Sequence, residues 1–186
     1  MERPAILKLR FVGWSELHRI LAELATRVSE TFAPEIVIAI AKGGYVPARL
    51  LMDFLGVEEL GTVGAKFYKA PGTTKERPTI TSVSLPPLAG LRALVVDDVI
   101  DSGRTIQLVV ELLKSYGIRD LRTLSIFVKK WSPLLPDFYY EITDEWIVFP
   151  WELCETYRAI PSAASSYGTS AQLVERCVKK GLTASQ

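Results

Sequence analysis

Three carboxylates fall within five residues, Asp97, Asp98 and Asp101, and Ser102, Gly103, Arg104 and Thr105 follow at once. The residues before them, Leu94, Val95 and Val96, are continuously apolar, as in a parallel strand covered on both faces. After them, Ile106, Val109, Val110 and Leu113 form a helical stripe closed by Gly117. The pattern is a strand that delivers charge to a small-residue loop, which then opens a helix. Free backbone N–H groups, two hydroxyls and the positive end of a helix dipole make a phosphate site. The dipole alone contributes roughly 0.3–1 kcal/mol when exposed, so loop geometry must supply the rest. A carboxylate pair beside such a site suits a ligand that also offers hydroxyls or a metal ion. A phosphorylated sugar with bound magnesium offers both.

Other elements must position this loop. Trp14, Leu17, Leu21, Leu24 and Val28 mark an amphipathic helix. Ile36 to Ala41 reads as a buried strand that feeds Lys42-Gly43-Gly44, where two glycines permit unusual backbone and let a ligand approach the main chain, a second anion site. Pro47, Ala48, Leu51, Leu55 and Gly56 predict a helix running to Leu55. Thr62 to Phe67 reads as a strand. Tyr68 to Gly90, rich in Lys, Thr, Pro and Gly, reads as a long loop of the kind that is functional or disordered. In this region Lys66, Tyr68, Lys69 and Lys75 are candidates to meet phosphate oxygens. Thr123 to Val128 is another buried strand, followed by Lys129-Lys130-Trp131. Ligands of open parallel sheets bind outside the carboxyl ends of the strands, which makes Lys129, or Lys130 one register on, a candidate ligand contact.

The chain has 186 residues, 48% of them apolar and 23% charged, with a net charge of +1. This suits one globular α/β domain and gives no global field for nucleic acid. No apolar run approaches the ~20 residues of a membrane span, and Met-Glu-Arg-Pro lacks signal-peptide features, so a cytoplasmic protein with no membrane partner is expected. Cys154 and Cys177 have no metal-ligand spacing and read as ordinary thiols. His18, the single histidine, lies on the first helix away from the motifs and reads as a surface residue.

The order of four apolar residues, Asp-Asp, two apolar residues, then Asp-Ser-Gly-x-Thr resembles the phosphoribosyl-pyrophosphate signature of the type I phosphoribosyltransferases. Lys42-Gly43-Gly44 is similar to the pyrophosphate loop of their 6-oxopurine branch. Trp146-Ile147-Val148-Phe149-Pro150-Trp151-Glu152 resembles the tryptophan segment of the short bacterial xanthine-guanine phosphoribosyltransferases. The closest bacterial pattern has arginine where this chain has Lys42, and aspartate where it has Glu152. The first change keeps a positive charge but loses the bidentate fork, and the second bears on the contacts to carbon 2 of the base.

The resemblance covers roughly residues 14–152. It implies an α/β fold, a mostly parallel central sheet flanked by helices, with a small hood. The chain is then a single phosphoribosyltransferase domain over 1–186, with a core at about 14–152, a hood at about 137–160 and a C-terminal tail at 161–186. The tail carries a weak helical stripe at Leu173, Val174, Cys177 and Val178 that would dock on the body or on a partner subunit.

The implied reaction moves 5-phosphoribosyl from its pyrophosphate to a 6-oxopurine base and yields a nucleoside monophosphate. Asp97 and Asp98 would meet the ribose hydroxyls and Mg2+. Asp101, Ser102, Gly103, Arg104 and Thr105 would hold the 5-phosphate, and Asp101 would also meet nitrogen 7 of the base as the catalytic group. Lys42, Gly43 and Gly44 would bind pyrophosphate. Lys129, Trp146, Ile147 and Glu152 would bind the base, with Trp146 stacking and Trp151 in the hood core. Lys66, Tyr68 and Lys69 would belong to a mobile flap. The resemblance also implies a non-proline cis peptide between Ala41 and Lys42, and a homodimer or larger homo-oligomer. A phosphoribosyl-pyrophosphate-sensing regulator is a different reading on the same fold. The near-neutral charge and the base-binding segment at Trp146 stand against it. Adenine or orotate in place of a 6-oxopurine is a further alternative, and Lys129 disfavours adenine, whose amino group cannot accept from an ammonium.

Overall fold

The computed structural model describes residues 8–69, 76–160, 163 and 172–177. The chain divides into two compact units, one of residues 18–143 and one joining residues 1–17 to 144–186.

The larger unit is built on a six-stranded sheet. Its strands are β2 (Ile36–Ala41), β3 (Glu59–Lys69), β4 (Glu76–Ser84), β5 (Arg92–Ile100), β6 (Asp120–Lys129) and β7 (Phe138–Thr143), in the order β4-β3-β2-β5-β6-β7. All neighbours run parallel except β3 and β4. The central strands are apolar without alternation because both faces are covered: Val37, Ala39, Leu94 and Val96 are as fully buried as Ile36, Ile38, Ala93 and Val95. Helix α2 (Tyr45–Leu55) packs on β2 and β5, and α3 (Arg104–Lys114) packs on β3, β4 and β5. The α3 stripe of Ile106, Val109 and Leu113 joins one core cluster with Ile36, Ile38, Val95 and Val128. Helix α1 (Trp14–Thr31) buries Leu17, Ile20, Leu21, Leu24 and Val28, and His18 on it is exposed, with its ring edge-on to Phe54. Parallel order puts the ends of β2, β5 and β6 on one rim, so Lys42-Gly43-Gly44, the acidic loop and Lys129 share it.

The smaller unit pairs β1 (Leu9–Phe11) in parallel with β8 (Trp146–Val148) and adds α4 (Leu153–Ala159). Tyr157, Ala163 and Cys177 are buried together against Leu9, Phe11, Ile160 and Val174. No helix among the described residues is long and apolar enough to cross a membrane.

Several expectations are corrected here. The stretch from Tyr68 to Gly90 is not one long loop, since β3 runs to Lys69 and β4 returns antiparallel beside it. Residues 138–143, expected in the hood, form β7 of the main sheet beside β6. Strand β5 does not stop at its carboxylates but continues through Asp97 and Asp98 to Ile100. Cys154 and Cys177 are joined in a disulfide, and Ala163 and Cys177 are buried beside Tyr157. Val178 lies outside the described residues.

Candidate active site

Asp97 and Asp98 are consecutive strand residues, so their side chains leave opposite faces of the sheet. Asp97 lines a cavity of about 160 Å³ together with Phe67, Val99, Ile100, Asp101, Ser102, Gly103 and Thr105. Asp98 lies on the other side against Gly43, where any Cβ would collide with its carboxylate. The two acids remain linked. The Asp98 N–H donates to Asp97 Oδ1 at 3.0 Å, and the Val99 N–H donates to Asp98 Oδ1 at 2.7 Å. Burial pushes the Asp97 carboxyl well above the usual carboxylate range, and the neighbouring charge of Asp98 pushes in the same direction. The buried Ser125 hydroxyl sits 3.1 Å from the Asp98 carbonyl and 2.9 Å from that of Phe127, which ties β5 to β6 at this level.

The loop after Ile100 turns through Gly103 at φ 73°, a left-handed conformation that glycine adopts without penalty. Gly103 is also pressed against Leu134, whose Cβ would lie 2.7 Å from a Cβ at 103. Helix α3 starts immediately afterwards, so its first N–H groups border the cavity that Ser102 and Thr105 line. Arg104 is exposed and lies outside the cavity lining.

The peptide between Ala41 and Lys42 is cis, as the resemblance implies. Gly43 and Gly44 differ from the expectation, because neither adopts positive φ. They are glycines for lack of room: a Cβ at 43 meets Asp98, and one at 44 meets the carbonyl oxygens of Val96 and Ile40. The Gly44 N–H is already given to the Ile40 carbonyl at 2.8 Å. Any anion bound here is left to the neighbouring amides and the exposed Lys42 side chain.

At the end of β6, Lys129 is only 8% exposed while Lys130 is on the surface. The Lys129 ammonium lies 5.6 Å from the centre of the Trp131 ring. Trp131 donates its indole N–H to Asp101 Oδ1 at 2.6 Å. On β3, Lys66 is exposed and precedes the cavity residue Phe67, so it projects from the opposite face. The side chains of Tyr68 and Lys69, and all of Lys75, lie outside the described residues.

In the smaller unit, Trp146 is 51% exposed and Ile147 is buried, which leaves Ile147 only main-chain groups to offer a ligand. Glu152 Oε1 accepts the Phe149 N–H at 3.2 Å, closing the turn before α4. Trp151 stacks on Phe149 with ring centres 4.6 Å apart and meets Trp14 at 6.0 Å.

Sequence reasoning missed Phe67, Trp131 and Leu134. A large aromatic directly after two lysines at the end of a buried strand was the available signal for Trp131.

These loops can hold a phosphate, offer carboxylates on two sides of one strand, and place a cation on the same rim. Comparison with known proteins points the same way. Residues 13–158 match the family model described as the phosphoribosyl transferase domain. The chain is 31% identical over 143 residues to the xanthine-guanine phosphoribosyltransferase of Nitratidesulfovibrio vulgaris, covering 76% of this chain and 83% of that protein. It is 28% identical over 172 residues to the enzyme of the same name from Gluconobacter oxydans, covering 90% and 97%. The crystal structure of a purine phosphoribosyltransferase from Pyrococcus horikoshii superposes with a TM-score of 0.71 at 34% identity, covering 78% of this chain and 94% of that one. With the signature loop, the glycine pair and the strand order all in their places, the chain belongs to the phosphoribosyl transferase family.

Proposed function

We propose that this enzyme transfers 5-phosphoribosyl from phosphoribosyl pyrophosphate to a 6-oxopurine, hypoxanthine, guanine or xanthine, as a step of purine salvage. The observation that carries the reading is the single strand β5, which presents Asp97 to the cavity lined by Ser102, Gly103 and Thr105, and Asp98 to Gly43. A sugar held by its 5-phosphate at Ser102–Thr105 and by its pyrophosphate at Lys42-Gly43 would lie across these two acids.

In the reaction, the bond from the anomeric carbon to the pyrophosphate oxygen breaks, and its electron pair leaves with pyrophosphate. A ring nitrogen of the base donates the pair that forms the new bond. The base loses a proton, which Asp101 would accept or relay. Asp97 and Asp98 orient the ribose hydroxyls while charge develops on the ring. Lys129 donates to the oxygen on carbon 6 of the base.

Among the described residues no cluster of three or more His, Cys, Asp or Glu could hold a metal ion alone. The donor set does fit magnesium, which takes one or two protein carboxylates and fills its shell with substrate oxygens and water. Either Asp97 or Asp98 would assist the substrate's own oxygens in holding it, and it would supply charge neutralisation for the departing pyrophosphate. A cytoplasmic location and assembly as a homodimer or larger homo-oligomer complete the reading.

The test is pyrophosphate release with phosphoribosyl pyrophosphate, magnesium and, separately, hypoxanthine, guanine, xanthine, adenine and orotate. Turnover with one or more 6-oxopurines is expected. Silence with every base, while the sugar phosphate still binds, would move the assignment to a regulatory protein.

A further inference from the structure

We propose that Trp131 is a positioning residue for the transfer, holding the Asp101 carboxylate in the orientation that receives the base; this rests on the purine reading above. Trp131 is 60% exposed, so burial explains little of its placement. What holds the ring is polar. Its N–H donates to Asp101 Oδ1 at 2.6 Å, the short distance of a charge-assisted bond, and the Lys129 ammonium lies 5.6 Å from the ring centre. The backbone beneath it is fixed. The Ser132 N–H donates to the Lys129 carbonyl at 2.9 Å, the Lys130 N–H donates to Thr143 at 3.1 Å, and Leu134 is wedged against Gly103.

Asp101 is an exposed side chain in a small-residue loop, and Trp131 holds its carboxylate from a segment 30 residues away in the chain. A carboxylate has about four acceptor positions. The indole occupies one oxygen and leaves the other for a base N–H. Because the same ring also meets Lys129, one side chain sets the spacing of the two groups assigned to the base. Tryptophan suits this role, since a rigid ring with two side-chain torsions loses little entropy when held.

The experiment uses the full chain. The wild type is assayed first with phosphoribosyl pyrophosphate, magnesium and each 6-oxopurine, and inactivity there would overturn the purine reading and this inference together. With an active wild type, Trp131→Phe keeps the ring and removes the N–H. Its kcat should fall about tenfold while KM for phosphoribosyl pyrophosphate stays within about twofold. Trp131→His places a ring N–H three bonds from Cβ, as tryptophan does, and should recover much of that loss at a pH where the imidazole is neutral. In an Asp101→Ala background, Trp131→Phe should cost nothing further. Wild-type kcat in Trp131→Phe, equal loss in the Phe and His variants, or a full additional loss beside Asp101→Ala would each overturn the inference alone.

Discussion

Gly43 lies directly against the carboxylate of Asp98, with no space for a methyl group between them. The Lys42-Gly43-Gly44 loop and the acidic strand are therefore one fitted surface, and the two glycines of that loop should respond to alanine in different ways. At 43 the obstructing group is the end of a side chain, which can swing aside. Gly43→Ala should cost less than about 1 kcal/mol of stability yet lower kcat/KM for phosphoribosyl pyrophosphate tenfold or more, since Asp98 is displaced. At 44 the obstructing atoms are backbone carbonyls of Val96 and Ile40. Gly44→Ala should therefore destabilise the fold by about 1–3 kcal/mol. Urea melts and initial-rate kinetics on the two variants separate these outcomes, and equal stability losses would count against the argument.

Lys129 and Lys130 are neighbours with unlike surroundings, one buried at the strand end and one in solvent. Lys129→Gln should raise KM for the 6-oxopurine about tenfold, the effect of losing one charged hydrogen bond, and leave KM for phosphoribosyl pyrophosphate unchanged. Lys130→Gln should stay within about twofold of wild type. Reversal of the two results would transfer the base contact to Lys130.

Asp137 ends the connection that carries Trp131. Its carboxylate accepts the Thr123 N–H and hydroxyl, both at 2.8 Å, and an Arg122 guanidinium N–H at 3.1 Å. Partial burial pushes the carboxyl up, but these hydrogen bonds and the Arg122 charge outweigh it and hold it below its usual range. A depressed folded value means the contribution is complete above the unfolded value and is lost as pH falls through the folded one. Asp137→Asn should cost about 1–2 kcal/mol at pH 7, discounted for its partial exposure. Below that depressed folded value the gap between variant and wild type should close. A gap that does not change with pH would show that the charge is irrelevant.

The Cys154–Cys177 disulfide spans a sequence separation of 23 residues. Closing a loop of that size contributes about 3 kcal/mol by restricting the unfolded chain. Unreduced protein should show no titratable thiol under denaturing conditions, and Cys177→Ser or added reductant should lower the denaturant midpoint. Two free thiols in the purified protein would contradict the pairing.

The acidic loop was legible from sequence because its chemistry is contiguous: a strand end, three acids and a glycine cap sit within Asp97–Thr105. The buried central strands were legible for the same local reason, predominantly apolar runs at 36–41, 94–97 and 123–128. Strand β4 was not. It is an edge strand whose residues from Arg77 to Ser84 are partly or fully exposed, so it carries no apolar pattern, and its Pro78 argues locally against a strand. Strand β1, only Leu9–Phe11, is too short to signal itself and exists through its pairing with β8. The disulfide and the Trp131–Asp101 bond join residues far apart in the chain, and their spacing carries no signature. The reason for Gly43 and Gly44 was misjudged because crowding by another strand is invisible from within one segment.

Strands β6 and β7 run parallel, yet residues 130–137 alone join them, where such crossovers usually take a dozen or more residues and a helix. Phe138 pairs with Leu124, so the chain must descend the whole height from Lys129 back to Leu124, about 17 Å at strand rise. The turn at Lys129–Ser132 consumes the first part, and the remainder to Phe138 spans at most about 20 Å when fully extended. The segment whose Leu134 packs against Gly103 is thus a taut tether with almost no slack. Its length is a geometric requirement of the sheet: deleting one or two residues there would drag β7 out of register and pull Trp131 and Leu134 off the loop they cover.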